Sequence, residues 1–192
     1  MLWQIRVCHP HVLHPMLDMT HILSIRPAVM ADSVGIAAVN IQSWKETYPG
    51  IMPAQRIDGM NMESCAKHWQ ANIEGASYVL VAEVNGSIVG FASGGDNYQY
   101  QGCETGLGNA CDCELGALYM LQQYHGRGIG KALFQQFTMQ MRREQRKTMI
   151  VWVAEKNKST EFYAAMNGEL VDRKILLVCE EPIPVIGYQY TL

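Results

Sequence analysis

The alternation of apolar and polar positions divides this chain into strands and helices in a regular succession. Ile22 to Arg26 alternates before Pro27 and predicts a first strand. From Asp32 onward Val34, Ile36, Ala37, Val39, Ile41 and Trp44 recur at helical spacing, and Tyr48-Pro49-Gly50 breaks the pattern. Pro53 can open a short second helix, and Met62 to Glu74 reads as a third, closed by Gly75. Tyr78 to Val84 and Ser87 to Ser93 are β-rich runs joined by Asn85-Gly86, the strongest short hairpin signal. Gly94 to Cys111 is a long connection that can partly extend its neighbouring strands.

The second half continues with a strand over Glu114 to Leu121 and a helix over Lys131 to Arg146, its apolar side carrying Leu133, Phe134, Phe137 and Met141. Thr148 to Val153 is strongly β-forming, and Ser159 to Met166 is a short helix stopped near Gly168. Leu170 to Cys179 and Val185 to Thr191 close the chain as strands joined across Pro182 and Pro184. No repeat or second domain is visible. The pattern predicts a mixed α/β sandwich on one sheet of six or seven strands.

Composition narrows the class. The 192 residues are 48% apolar and 17% charged, enough for one buried core and few for two. A net charge of −3 without a basic stripe argues against a nucleic-acid partner. No apolar run is long enough for a membrane helix, and the expected location is cytoplasmic. Residues 1–21 hold His9, His11, His14, His21 and Cys8 in no zinc-like spacing. They are expected to form a disordered extension before a single domain over 22–192. Cys103, Cys111 and Cys113 likewise match no metal pattern, so no metal is expected and free thiols are the default.

Candidate chemistry concentrates in Tyr124-His125-Gly126-Arg127-Gly128-Ile129-Gly130-Lys131. Three alternating glycines between a strand and a helix suit an anion, because the backbone can turn its N–H groups together at a helix N-terminus. The spacing is not G-x-G-x-x-G, and Ala132 follows Lys131 where a Walker loop needs a hydroxyl. Both nucleotide-fold patterns therefore fail.

Glu114-Leu115-Gly116-Ala117-Leu118-Tyr119-Met120 followed by His125-Gly126-Arg127-Gly128-Ile129-Gly130 resembles the acetyl-CoA-binding motif of the GCN5-related N-acetyltransferases. His125 stands where that family commonly has Gln or Arg. Asn157-Lys158-Ser159-Thr160-Glu161-Phe162-Tyr163, then Gly168, resembles the family's second motif, and Arg26-Pro27-Ala28, Asp32 and Trp44 to Gly50 resemble its N-terminal helices. The likeness runs from about Ile22 to the C-terminus. It implies the acyl-CoA N-acyltransferase fold, a mostly antiparallel six- to seven-stranded sheet flanked by helices. It also implies acetyl transfer from acetyl-CoA to a primary amine by direct attack in a ternary complex.

On this resemblance His125, Gly126, Arg127, Gly128, Ile129, Gly130 and Lys131 hold the pyrophosphate, while Leu118, Tyr119 and Met120 lie against the donor. The Met120 N–H polarises the thioester carbonyl. Tyr163 falls at the general-acid position, an aromatic pair with Phe162 packing the helix being the alternative. Asn157 caps that helix, faces the cofactor, or both. Glu114 is the candidate base, with Glu83 and Asp112 behind it, and Trp44 and Tyr48 are expected in the acceptor pocket. Two other readings stay open: a non-catalytic acyl-CoA sensor, and an enzyme for protein N-termini or lysines. A homodimer is compatible with the family, and the acceptor carries no readable code.

Overall fold

A computed structural model of the chain describes residues 23–97 and 110–192. In chain order these form β1 (Leu23–Pro27), α1 (Ser33–Thr47), α2 (Ala54–Asp58), α3 (Met62–Glu74), β2 (Tyr78–Val84), β3 (Ser87–Asp96) and β4 (Cys113–Met120). Then follow α4 (Ile129–Arg143), β5 (Thr148–Ala154), α5 (Ser159–Ala165), β6 (Glu169–Val178) and β7 (Glu181–Thr191). The strands make one sheet in the order β1-β2-β3-β4-β5-β7-β6. Every neighbouring pair is antiparallel except β4 and β5.

Both faces of the central strands are covered, which is why β2 reads as an almost unbroken apolar run. Leu80 and Ala82 pack with Leu115, Leu133, Phe137 and Met149 beneath α4. Val79 and Val81 face Ile36, Ala37, Trp69 and Phe91 beneath α1 and α3. Full burial of such side chains is worth about 1.5–3 kcal/mol each and fixes the two helical layers. The Asn85-Gly86 hairpin forms as expected, with φ of 51° and 81° at the two turn residues.

Three expectations need correcting. The buried stripe of α1 only partly follows the apolar one: Ile36, Ala37 and Val39 are buried as expected, but Val34 is exposed, and Ser33, Asn40 and Ser43 are buried beside them. Asn40 is accommodated because its Oδ1 accepts from Trp69 Nε1 at 3.3 Å and from Cys65 Sγ at 3.4 Å. Helix α4 starts two residues earlier and ends three earlier than its sequence pattern, stopped by Gln145 at φ 63° with Arg146 N–H donating to Met141 O.

Pro182 and Pro184 lie inside β7 rather than in a connection, and the turn is Cys179-Glu180, both with positive φ. The Pro184 carbonyl accepts from Glu155 N–H, so the backbone polar groups of Pro182 and Pro184 face the β5 side. There β5 has already ended at Ala154, and their missing N–H groups interrupt no ladder. The expected extension at residues 1–21 and most of the long connection, 98–109, lie outside the described residues.

Candidate active site

The site grows from β4. Against β5 this strand pairs only through Cys113 with Met149 and Glu114 with Ile150, after which the two diverge. Against β3 it stays paired to Met120, with one irregularity. Ser93 faces Ala117 and Gly94 faces Leu115, leaving Gly116 as an extra residue, a β-bulge. The bulge reverses the alternation: Cys113 and Leu115 share the α4 face with Leu118 and Met120, while Ala117 and Tyr119 point to the α1 and α3 side. No periodicity in the sequence carries that reversal; an isolated glycine in an alternating run is the one available sign.

Beyond the bulge, Leu121 N–H donates to Val89 O on β3 at 3.0 Å. The strand's alternation therefore turns the N–H and C=O of Met120, and of Leu118 two residues earlier, toward the opening between β4 and β5. The Met120 carbonyl accepts from His125 Nε2 at 3.1 Å.

The glycine segment follows a helical turn at Gln122–Tyr124. Gly126 and Gly128 have φ of 74° and 79°, and a Cβ built on either would meet nothing within 4 Å. Their requirement is thus conformational. Gly128 is the left-handed N-cap of α4, and its carbonyl accepts the first helical bond, from Ala132 N–H at 3.0 Å. The N–H groups of Ile129, Gly130 and Lys131 form the open first turn. The His125 N–H, in contrast, is donated to Gln122 O at 3.0 Å, so His125 lines the adjoining groove without a free backbone donor. His125 acts instead through its imidazole on Met120.

Above this turn lies a groove of about 520 Å³, lined among others by Leu118, Met120, Gly126, Gly128, Gly130, Lys131, Phe162 and Tyr163. Arg127 stacks over Tyr124 at 5.2 Å.

Tyr163 also lines a smaller cavity of about 80 Å³ within the split, shared with Ser43, Tyr48, Tyr119, Met120, Trp152 and Asn157. Its ring sits 5.3 Å from Phe162 and 6.1 Å from Tyr188, and its carbonyl accepts from Tyr190 hydroxyl at 2.8 Å. Burial is the chief cause raising its pKa well above the ordinary phenol, with Tyr48 and Tyr190 adding to it. Asn157 is buried and its Oδ1 accepts from Ser159 N–H at 2.9 Å, the capping task. It also faces the cavity beside Tyr48, whose phenol pKa burial raises against the opposing effect of hydrogen bonds with Tyr119 and Asn157.

Tyr119 was expected only for its backbone, yet its phenol is a site group. Its oxygen lies 3.0 Å from that of Tyr48, and burial raises its pKa strongly. Trp44 packs 4.6 Å from Tyr48 and lines a third hollow of about 400 Å³ between α1, α2, α3 and β4.

The structure thus gathers Tyr163, Tyr48, Tyr119, Met120 and Asn157, with Trp44 alongside. Glu114 is buried but lines a neighbouring hollow of about 480 Å³ with His68, Trp69 and Asp96, separated from Tyr163 and meeting its cavity at Gly116-Ala117. The weaker carboxylates are engaged elsewhere: Glu83 with Arg26, and Asp112 with the N–H groups of Lys147 and Thr148. Among the described residues no three His, Cys, Asp or Glu side chains cluster as metal ligands would, and no helix is long and apolar enough to cross a membrane. Cys111 and Cys113 are buried, and burial pushes the Cys113 thiol up to about 12.

A seven-stranded sheet opened between parallel β4 and β5, beside a glycine turn at a helix N-terminus, defines the acyl-CoA N-acyltransferase fold. The sequence model of the Acetyltransferase (GNAT) family matches residues 41–168. The chain is 31% identical over 149 residues to the uncharacterized N-acetyltransferase YuaI of Bacillus subtilis (strain 168), covering 78% of this chain and 82% of the relative. Among solved structures it is similar to the PaiA N-acetyltransferase of Thermoplasma acidophilum in complex with coenzyme A. The TM-score is 0.65 at 20% identity, over 88% of this chain and 99% of that one. It is also similar to yncA of Salmonella typhimurium, solved with acetyl-CoA, with TM-score 0.67 at 18% identity over 88% and 94% of the chains. This chain belongs to the GNAT family of acetyltransferases.

Proposed function

We propose that the protein is an acetyl-CoA-dependent N-acetyltransferase that acylates a primary amine by direct attack in a ternary complex. One observation carries the reading. Tyr163 lines both the groove beside the glycine turn and the small cavity in the β4–β5 split, next to a backbone N–H turned toward the same opening.

The groove suits coenzyme A. The left-handed Gly126 and Gly128, with the open first turn of α4, offer clustered N–H donors for a pyrophosphate. Lys131 adds a cation on the same lining. Leu118 and Met120 offer strand-like N–H and C=O groups for an extended amide-bearing arm. Acetyl-CoA would supply an activated acyl carbon and a thiolate leaving group.

The chain's own residues then divide the work. Met120 N–H, fixed in β4 and with its C=O held by His125, polarises the thioester carbonyl as an oxyanion donor. Tyr163, its pKa raised by burial, keeps its proton at neutral pH and gives it to the departing thiolate. Tyr48 and Tyr119 present paired hydroxyls on the acceptor side. One ammonium proton leaves toward Glu114 through water, since that carboxylate lines the adjoining hollow rather than the reaction cavity, and the second, lost from nitrogen as the C–S bond breaks, restores the Tyr163 phenol.

The test is Tyr163→Phe, assayed by free CoA release with a panel of amines and by calorimetric binding of CoA. Turnover should fall by about 10²–10⁴-fold while CoA affinity changes less than twofold. Unchanged turnover would remove Tyr163 as the acid. Tight CoA binding without turnover on any amine by the unaltered protein would favour a sensor.

A further inference from the structure

The acceptor side of the split has an uneven charge distribution that points to one class of amine. The hollow of about 400 Å³ bounded by α1, α2, α3 and β4 is lined among others by Asn40, Trp44, Arg56, His68, Trp69 and Tyr119. Among the described residues its lining holds one guanidinium and no carboxylate. Arg56 rises from α2 with its guanidinium carbon 5.1 Å from the centre of the Trp44 ring. Arg26, Arg146 and Arg173 each meet a carboxylate, but among the described residues Arg56 has no ion-pair partner.

Trp44 holds the planar fork over the hollow, so little side-chain freedom is lost when the fork binds a ligand. The other polar side chains of the hollow's lining are amides, a hydroxyl, a thiol, a phenol, an indole and the His68 imidazole, and the carboxylates Glu114 and Asp96 line the adjoining hollow. The Asn72 amide nitrogen lies 3.1 Å from His68 Nε2 and 2.9 Å from His68 O. Trp69 Nε1 is spent on Asn40.

A single guanidinium in a fixed fork matches one carboxylate bidentately. A diamine or aminoglycoside would instead bring a second ammonium next to Arg56 with no acid in the lining to offset it. Arg56 is also linked to the reaction cavity through packed rings: Trp44 touches Tyr48, and Tyr48 meets Tyr119 at the split.

We infer that the acceptor is an amine that also carries a carboxylate, gripped by Arg56 against Trp44 while the amine lies toward Tyr48 and Tyr119. This rests on the acetyl-transfer reading for its purpose, but the carboxylate site can be tested without turnover. Arg56 is a specificity residue and takes no part in bond making.

The experiment measures binding of L-amino acids and ω-amino acids against their carboxamides, with putrescine and spermidine alongside, by calorimetry with and without CoA. The same pairs are then compared by kcat/KM. At least one acid should bind about tenfold or more tightly than its amide, and the ratio should shrink with added salt because Arg56 is solvent-exposed. Arg56→Gln, an exposed change on a short helix whose folding is checked by its melting curve, should bring the ratio to near one. Arg56→Lys should restore part of it.

Amides binding as well as acids, a ratio that survives Arg56→Gln, tighter binding of the diamines, or no binding by any member would each overturn the inference. Acid-selective, Arg56-dependent binding without acetyl release would support the carboxylate site and sink the acetyl-transfer reading.

Discussion

Substituting alanine at two glycines at the start of α4, its N-cap Gly128 and Gly130 within its first turn, should have opposite results. Gly128 has φ 79° and ψ −2°, and an added Cβ would meet nothing within 4 Å. Gly128→Ala therefore creates no clash, and its whole cost is that of holding an L-residue left-handed, about 1–2 kcal/mol. That cost can surface in two places. If the loop keeps its shape, the fold loses stability; if the loop relaxes, the N–H groups of α4's first turn must be re-formed when an anion binds. The losses in stability and in CoA affinity together should reach about 1–2 kcal/mol, a factor of about 5–30.

Gly130 lies inside the first turn of α4, with Met120 Cε 3.8 Å and Phe162 Cε2 3.9 Å from its built Cβ, both ordinary contacts. Gly130→Ala should be neutral, or stabilise by up to about 1 kcal/mol through helix propensity, with CoA affinity preserved. Urea denaturation of the free protein and calorimetry with CoA measure both terms. Gly128→Ala matching the parent in both assays, or Gly130→Ala losing more than about 1 kcal/mol in either, would refute a left-handed requirement confined to Gly128.

Two further outcomes are expected. A Cβ on Gly168 would come within 2.5 Å of the Tyr190 hydroxyl and 2.9 Å of Tyr163 O, so Gly168→Ala should break the Tyr190–Tyr163 bond and cost about 1–3 kcal/mol; a melting temperature equal to the parent's would count against it. Hydrogen bonds from Arg26 hold the Asp32 carboxyl below its ordinary 3.8, so its stabilisation is complete above that value and lost as pH falls through the depressed one. Asp32→Asn should cost about 1.5–3 kcal/mol near neutrality, and its gap from the parent in urea should close as pH falls below the ordinary 3.8; a gap that widens on acidification would contradict this.

Most of the architecture was legible because it rests on local rules. The Asn85-Gly86 turn, the apolar face of α4 and the glycine turn each follow from residues close together in sequence. The parts that were not legible depend on neighbours from elsewhere. Nothing local says that Asn40 is buried, because its partners Trp69 and Cys65 come from another helix. Pro182 and Pro184 read as a connection until it is known that β5 ends before reaching them.

The site was legible in the same uneven way. Its backbone elements were visible from the motif order, and Tyr163, Tyr48 and Trp44 do gather at the split. The phenol of Tyr119 was missed because the Gly116 bulge reverses the strand's faces just before it. Arg56 was missed because α2 gives no hint of which ring it covers.

The narrow pairing of β4 with β5 has a mechanical consequence. Four strands lie on one side of it and three on the other, and only two residue pairs join the halves into one ladder. The sheet resembles a partly opened zipper whose open teeth are the Leu118 and Met120 amides. An extended ligand that engages those teeth would act as a removable eighth strand, so the continuity of the β-layer would depend on what is bound.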